Sequence, residues 1–275
     1  MNKLTPERLN SLLHTLDGEF STRLLAAVRF AMEAGQQTLE RFQKTELQVE
    51  KKNDRSPVTV ADKEAELLLR ERIQSTFPED SIVGEEFESV EGTSEYRWIV
   101  DPIDGTKSFI CGVPLYATLV GVECSNESSI GVIYIPALDE LIFAEVGVGA
   151  RYVQGDSDLV IPKVSNTSSL AESCFVTSQV STYYEVNRGR NYLALEELAY
   201  ITRTWGDAYG YLLVATGRAE VMVDAIMNVW DAAAILPVMV ESGGTFTDWQ
   251  GNPTIHGGEG VGTNGLVLTE VLEQL

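Results

Sequence analysis

Apolar positions change their spacing several times along the chain, and each change marks an element. Leu9, Leu12, Leu13 and Leu16 recur on one helical face behind Thr5-Pro6-Glu7, which predicts a first helix closed by Gly18. A second helix, over about 21–42, carries Leu24, Leu25, Val28, Ala31, Ala34, Leu39 and Phe42 at the same spacing. A strand follows near 47–51, and Thr59-x-x-Asp62 resembles a capping box ahead of a helix that stops at Phe77-Pro78. Strand patterning then takes over near 81–83 and 97–101. From 115 to 153 it becomes antiparallel, with LYATLVGVE, IGVIYIP, ELIFAEV and ARYVQ parted by turn residues.

Residues 155–170, rich in Asp, Ser, Pro and Asn, form the junction. Beyond them come CFVTS, helices near 192–199 and 208–216, the strand AEVMVD, a helix over 230–241 and short strands to the end. The order predicts a layered α/β (α+β) fold, with an antiparallel-rich half at 1–156 and an α/β half at 157–275. There is no internal repeat and no low-complexity tract.

Composition narrows the function. Of 275 residues, 44% are hydrophobic and 22% charged, which excludes wholesale disorder. The formal charge of −21 repels nucleic acid and anionic lipid, so neither is expected as a partner. No apolar run approaches bilayer length, and residues 1–13 lack a signal-peptide core, so a cytoplasmic protein is expected. Cys111, Cys124 and Cys174 are odd in number without a CxxC pair, and are read as reduced, buried thiols.

The densest chemistry lies in Trp98-Ile99-Val100-Asp101-Pro102-Ile103-Asp104-Gly105-Thr106. An apolar strand delivers Asp101, and Pro102 is expected to end its ladder and turn the chain, so that Asp104 swings beside Asp101 and the Ile103 carbonyl is freed. Gly105 permits close backbone approach, and Thr106 adds a hydroxyl. Two carboxylates so placed repel each other unless a cation lies between them, and all-oxygen ligands select a hard ion, Mg²⁺ before Ca²⁺ or Mn²⁺. Most Asp-Pro and Asp-Gly sequences are simply solvated turns. Taken singly, Asp62 is the far member of a capping box, Glu85 in Ile82-Val83-Gly84-Glu85-Glu86 a loop acid, and Asp231 in Val229-Trp230-Asp231 a helix N-cap. Four acid clusters, each where a strand or helix begins or ends, argue for more.

GEE at 84–86, DPIDGT at 101–106 and WDAAAILPVMVESGG at 230–244 resemble, in order, the inositol monophosphatase superfamily of Mg²⁺-dependent, lithium-sensitive phosphatases. The resemblance runs from about Val58 to Val267. It implies the αβαβα sandwich of the inositol monophosphatase/fructose-1,6-bisphosphatase type. It also implies two or three Mg²⁺ ions, with Mn²⁺ as a substitute and Li⁺ as an inhibitor, and a homodimer. Placed on these positions, it gives a first metal to Glu85, Asp101 and the Ile103 carbonyl, and a second to Asp101, Asp104 and Asp231. A third, weaker ion would share Glu85. Thr106, backed by Asp62, would orient and deprotonate the attacking water, while N–H groups of Gly105 and Thr106 receive phosphate. Such chemistry needs no covalent nucleophile; His14, in an amphipathic helix, and His256, in a Pro/Gly-rich loop, do not invite a triad.

Trp205-Gly206-Asp207-Ala208-Tyr209-Gly210 departs from the small neutral segment of inositol-type members and looks like the Gly-Asp-x-Tyr segment of histidinol-phosphate phosphatases; DGTKSF at 104–109 leans the same way. Asp207 and Asp224, with Ala208, would line the leaving group and attract a cationic aminoalcohol, so L-histidinol phosphate, a histidine-biosynthesis ester, is the expected substrate. Helix capping by Asp207 and a structural role for Asp224 are the plainer explanations. Inositol-1-phosphate is the alternative ester, followed by 3′-phosphoadenosine 5′-phosphate; a non-catalytic divalent-ion binder would need neither Thr106 nor Asp62. Lys107 is read as solvated, and Trp98, Trp230 and Trp249 as packing residues. Gly260-Val-Gly262-Thr-Asn-Gly265 matches GxGxxG but leaves no room for a βαβ unit before Leu275.

Overall fold

The computed structural model describes residues 3–44, 49–51 and 57–275. Among these, two large sheets alternate with three helical layers, an αβαβα sandwich. The first sheet runs Ser81–Gly84, Tyr96–Asp104, Ala117–Cys124, Glu127–Ile135, Glu140–Glu145, Gly149–Gln154 in spatial order. Its first pair is parallel and the rest antiparallel. Side chains alternate between two buried faces. Trp98, Val100, Val120, Val122, Val132 and Phe143 meet the helices Pro6–His14, Thr22–Leu39 and Val60–Thr76 on one side. Ile99, Leu119, Ile133 and Ile142 meet Ala208–Ala215 and Ile235–Glu241 on the other. Burial on both faces explains why LYATLVGVE and IGVIYIP read as near-continuous apolar runs.

The second sheet runs Ile201–Arg203, Cys174–Val176, Val221–Asp224, Gly260–Thr263, Thr245–Thr247. Parallel pairing gives way to antiparallel at Val221–Asp224. Its outer face packs Tyr183, Tyr192, Leu195 and Val271 from Val180–Glu185, Gly189–Leu198 and Leu268–Leu272. No described helix is long and apolar enough to cross a membrane.

Several elements differ from their expected form. The first two helices stop early, at His14 and Leu39, and part of the expected 47–51 strand lies outside the described residues. The 97–101 strand continues to Asp104 instead of turning at Pro102: a register shift between Asp101 and Asp104 absorbs the proline, whose carbonyl accepts the Thr118 hydroxyl at 2.9 Å. The single helix expected over 230–241 is two, Val229–Ala232 and Ile235–Glu241. Pro237 has no N–H for the Ala233 carbonyl, so the ladder breaks there. The tail after Gly260–Thr263 contains a helix, Leu268–Leu272, too short for its periodicity to show. Cys111 is exposed and Cys124 and Cys174 are half-buried, all free; the buried thiols expected from the sequence are not found.

Candidate active site

The strand Tyr96–Asp104 delivers the first two acids. Asp101 is the last regular partner, opposite Leu119, and its Oδ1 accepts the Ile103 N–H at 3.0 Å. The bulge that follows turns Asp104 to the same end of the sheet, where its Oδ2 accepts the Ala208 N–H at 2.6 Å. Asp231 arrives from the far half of the chain. It is the third residue of the Val229–Ala232 helix in a capping box, not the N-cap; Asn228 caps, and its N–H donates to Asp231 Oδ2 at 2.7 Å. Carboxylate oxygens of Asp101, Asp104 and Asp231 lie within 4.8 Å of one another.

Small residues make this approach possible. Gly121 and Gly131, in the two central strands, carry no Cβ where Ala233 and Ala234 rest on the sheet; a Cβ on Gly131 would stand 2.0 Å from the Ala234 carbonyl oxygen. The break between the two short helices therefore lies against backbone, and Asp231 is lowered onto the end of the Asp101 strand.

Asp62 sits fully buried at the start of Val60–Thr76. Thr59 donates its N–H (2.7 Å) and hydroxyl (2.5 Å) to Asp62 Oδ2. This leaves Oδ1 facing the Thr106 hydroxyl at 3.3 Å, with the Ile103 carbonyl as that hydroxyl's other acceptor at 3.2 Å. Glu85, Asp101, Ile103, Asp104, Gly105, Thr106, Lys107, Asp207 and Asp231 line one cleft of about 210 Å³.

A second cleft, about 250 Å³, shares Asp104, Lys107, Asp207 and Asp231 with the first and extends to Ser178, Gln179, Ala208, Tyr211 and Asp224. Asp207 begins the Ala208–Ala215 helix without a side-chain capping bond. Its carboxylate is turned toward Gly105, where a Cβ would come within 2.6 Å of Oδ2; Gly105, at φ +85°, also holds a conformation that favours glycine. Asp224 ends its strand with Oδ1 accepting the Ser178 N–H (3.2 Å) and Oδ2 the Tyr211 hydroxyl (3.1 Å). Lys107 is exposed, as its reading as a solvated residue expects, and from there reaches across the cleft to donate to Gln179 Oε1.

Electrostatics follow from this crowding. Burial, then the charges of Glu85, Asp104 and Asp231, push the Asp101 carboxyl well above its ordinary range. Burial and then Asp207 and Asp231 do the same to Asp104. Asp231 is half-exposed but walled in by the cleft; burial raises it to about 7, with Glu85 adding to the rise against the Asn228 N–H. Asp224 is likewise raised to about 7, by burial foremost. Burial also raises Asp62 and Asp207. Carboxyls raised by one another's charge are returned to the ionised form by a cation placed among them, and an all-oxygen donor set fits a hard divalent ion.

A sequence model of the Inositol monophosphatase family matches residues 20–274. The chain belongs to that family. The match includes the Thr22–Leu39 helix, which lay outside the resemblance read from motifs alone. The chain is 42% identical over 238 residues to the histidinol-phosphatase of Chlorobaculum parvum, an alignment covering 86% of this chain and 90% of that protein. It is 36% identical over 242 residues to the histidinol-phosphatase of Streptomyces coelicolor, covering 86% and 91%. The solved structure of extragenic suppressor protein suhB from Bartonella henselae superposes with a TM-score of 0.84 at 27% identity, over 92% of this chain and 98% of that one.

Within this family member the histidines stand apart from both clefts. His14 pairs with Asp17 on the surface at 3.2 Å, and His256 faces Glu123 at 3.4 Å. Two of the GxGxxG glycines serve packing: Cβ atoms at Gly260 or Gly262 would meet the Tyr211 ring edge or hydroxyl within 2.8 Å, and it is this ring that carries its hydroxyl to Asp224; Gly265 instead supplies a left-handed turn at φ +82°. Tyr211, Ser178 and Gln179 were not anticipated. Tyr211 sits in an apolar helical run, and the other two precede a helix of six residues, so no periodicity singles them out.

Proposed function

We propose that the protein is a Mg²⁺-dependent phosphomonoesterase that hydrolyses L-histidinol phosphate to L-histidinol and phosphate. One observation carries the reading: a cluster of three carboxylates opens directly into a second cleft lined by two further acids, Asp207 and Asp224. The first half of that arrangement suits a metal-bound phosphate, and the second suits a leaving group that carries positive charge. Similarity to proteins named histidinol-phosphatase supports the same ester.

Asp101, Asp104 and Asp231 would hold one Mg²⁺, and Glu85, Asp101 and the Ile103 carbonyl another, with a third ion sharing Glu85. When bound, these ions supply the positive charge that acidifies water and neutralises the oxygen on which the ester breaks. The chain's own residues do the rest. Asp62, fixed by Thr59 through Oδ2, keeps Oδ1 as the acceptor for the Thr106 proton, so the hydroxyl turns a lone pair toward the attacking water and, as it takes that water's proton, gives its own to Asp62 Oδ1. Burial raises the Asp62 carboxyl against the Thr59 hydrogen bonds, which favours its role as the proton's acceptor. Gly105 and Thr106 offer backbone N–H groups to phosphate oxygens at the cleft floor. Asp207 and Asp224 receive the ammonium of the leaving alcohol.

Phosphate release from histidinol phosphate, inositol-1-phosphate and 3′-phosphoadenosine 5′-phosphate, each with Mg²⁺ and with a chelator, tests the reading. Histidinol phosphate should be turned over with the highest kcat/KM, and chelation should abolish release. Turnover that survives chelation removes the metal; preference for inositol-1-phosphate removes the cationic leaving group.

A further inference from the structure

The loop carrying Glu85 is held from behind by two residues that touch neither cleft. Glu66 lies on the Val60–Thr76 helix with no exposed surface, and Arg70, one turn later, is almost as deeply buried. Arg70 Nε donates to Glu66 Oε1 at 2.8 Å. The same Glu66 carboxylate accepts the Glu86 N–H at 2.7 Å and the Phe87 N–H at 3.3 Å. Arg70 sends its other nitrogens to the carbonyls of Phe87 (2.9 Å) and Glu88 (3.0 Å). Four consecutive-turn backbone groups are thus satisfied by one ion pair. Gly84 completes the seat: a Cβ there would stand 2.1 Å from Glu66 Oε1.

Phe87 and Glu88 lie at the surface, yet their backbone groups bond inward to this pair. A buried ion pair costs several kcal/mol of desolvation per ion, and apolar replacements of similar volume are often as stable. What it provides is conformation: backbone on both sides of Glu86 is tied to a rigid helix, so the direction in which Glu85 leaves the chain is set. That direction matters, since the Glu85 charge is felt by Asp101, Asp62 and Asp231 alike.

We infer that Glu66 and Arg70 are positioning residues for the metal centre, acting through Glu85 by clamping the 84–88 turn; the inference rests on the metal-site reading above. Mn²⁺ binding to the full-length protein, followed by electron paramagnetic resonance, tests it without reference to turnover. Glu66→Gln keeps the side-chain volume but loses the charge that holds Arg70 and one of the two acceptor oxygens. Glu66→Gln should weaken Mn²⁺ binding about 10- to 100-fold, the range for outer-shell partners of metal ligands. Gly84→Ala and Arg70→Lys should act in the same direction. In a Glu85→Gln background, adding Glu66→Gln should change affinity by no more than about twofold, as the path through Glu85 is already cut. An unchanged affinity in a folded Glu66→Gln protein overturns the inference, and so does an equal loss in the Glu85→Gln background, which would mark a general structural role. If Glu66→Gln does not fold, Arg70→Lys in both backgrounds decides by the same criteria. Wild-type protein that binds no Mn²⁺ at all sinks the metal-site reading itself, a result distinct from a clamp that fails.

Discussion

Asp207→Asn separates charge from shape in the leaving-group cleft. The substitution is isosteric, so the packing against Gly105 survives; only the negative charge is lost. A hydrogen bond to a charged partner contributes about 1.5–3 kcal/mol, equivalent to about 10- to 150-fold in kcat/KM. The lower part of that range applies here, because Lys107 lies near enough to favour the ionised form of Asp207 and cancels part of its field. Asp224 also remains to hold the ammonium. The expected loss on histidinol phosphate is therefore about 10- to 40-fold at saturating Mg²⁺. Glycerol phosphate, which shares the phosphate and lacks the cation, should lose less than about threefold. The assay is kcat/KM for both esters on the same preparations, with thermal denaturation as the check on folding. Equal losses on the two esters would refute the assignment of Asp207 to leaving-group charge and place it with the phosphate turn.

Two further expectations follow from packing and from titration. Gly131→Ala should lift the Ala233–Ala234 break off the sheet, cost about 1–3 kcal/mol of stability and raise the Mg²⁺ concentration needed for half-maximal activity; a wild-type melting temperature and Mg²⁺ requirement would show that this contact does not seat Asp231. Asp224, raised to about 7 by burial, is largely protonated at pH 6 and ionised at pH 8, so the ratio of kcat/KM for histidinol phosphate over glycerol phosphate should climb as pH rises through 7. Phosphate ionisation and the clustered acids Asp101, Asp104 and Asp231 are common to both esters and cancel in the ratio, and Asp224→Asn separates Asp224 from Asp207. A flat ratio, or one that keeps its slope in Asp224→Asn, would refute the role.

What could be read from the residues, and what could not, divides along a physical line. Asp101, Asp104, Glu85, Asp62 and Asp231 stand out together, because each ends an apolar run or opens a helix; singly, each has an ordinary reason to be there, as a cap or a turn acid. The residues that aim them leave no such mark. Glu66 and Arg70 are four apart on a helix, the spacing of countless surface ion pairs, and only their burial shows that the pair faces inward to the 84–88 turn. Ala233 and Ala234 sit in an apolar stretch whose helical spacing runs unbroken through the point where the helix stops, since both sides of the break are buried and periodicity registers burial, not backbone hydrogen bonds. Their partners, Gly121 and Gly131, read as weak points in strands until the approach of a second backbone gives each a reason. Pro102 misleads in the opposite sense: a proline forbids one donor, not a strand, and a bulge that spends the missing N–H is enough to keep Asp104 in the sheet and turn its carboxylate beside Asp101. The acids that face the clefts are thus legible as a set of clusters, whereas their convergence depends on contacts between small or apolar residues whose sequence pattern speaks only of packing.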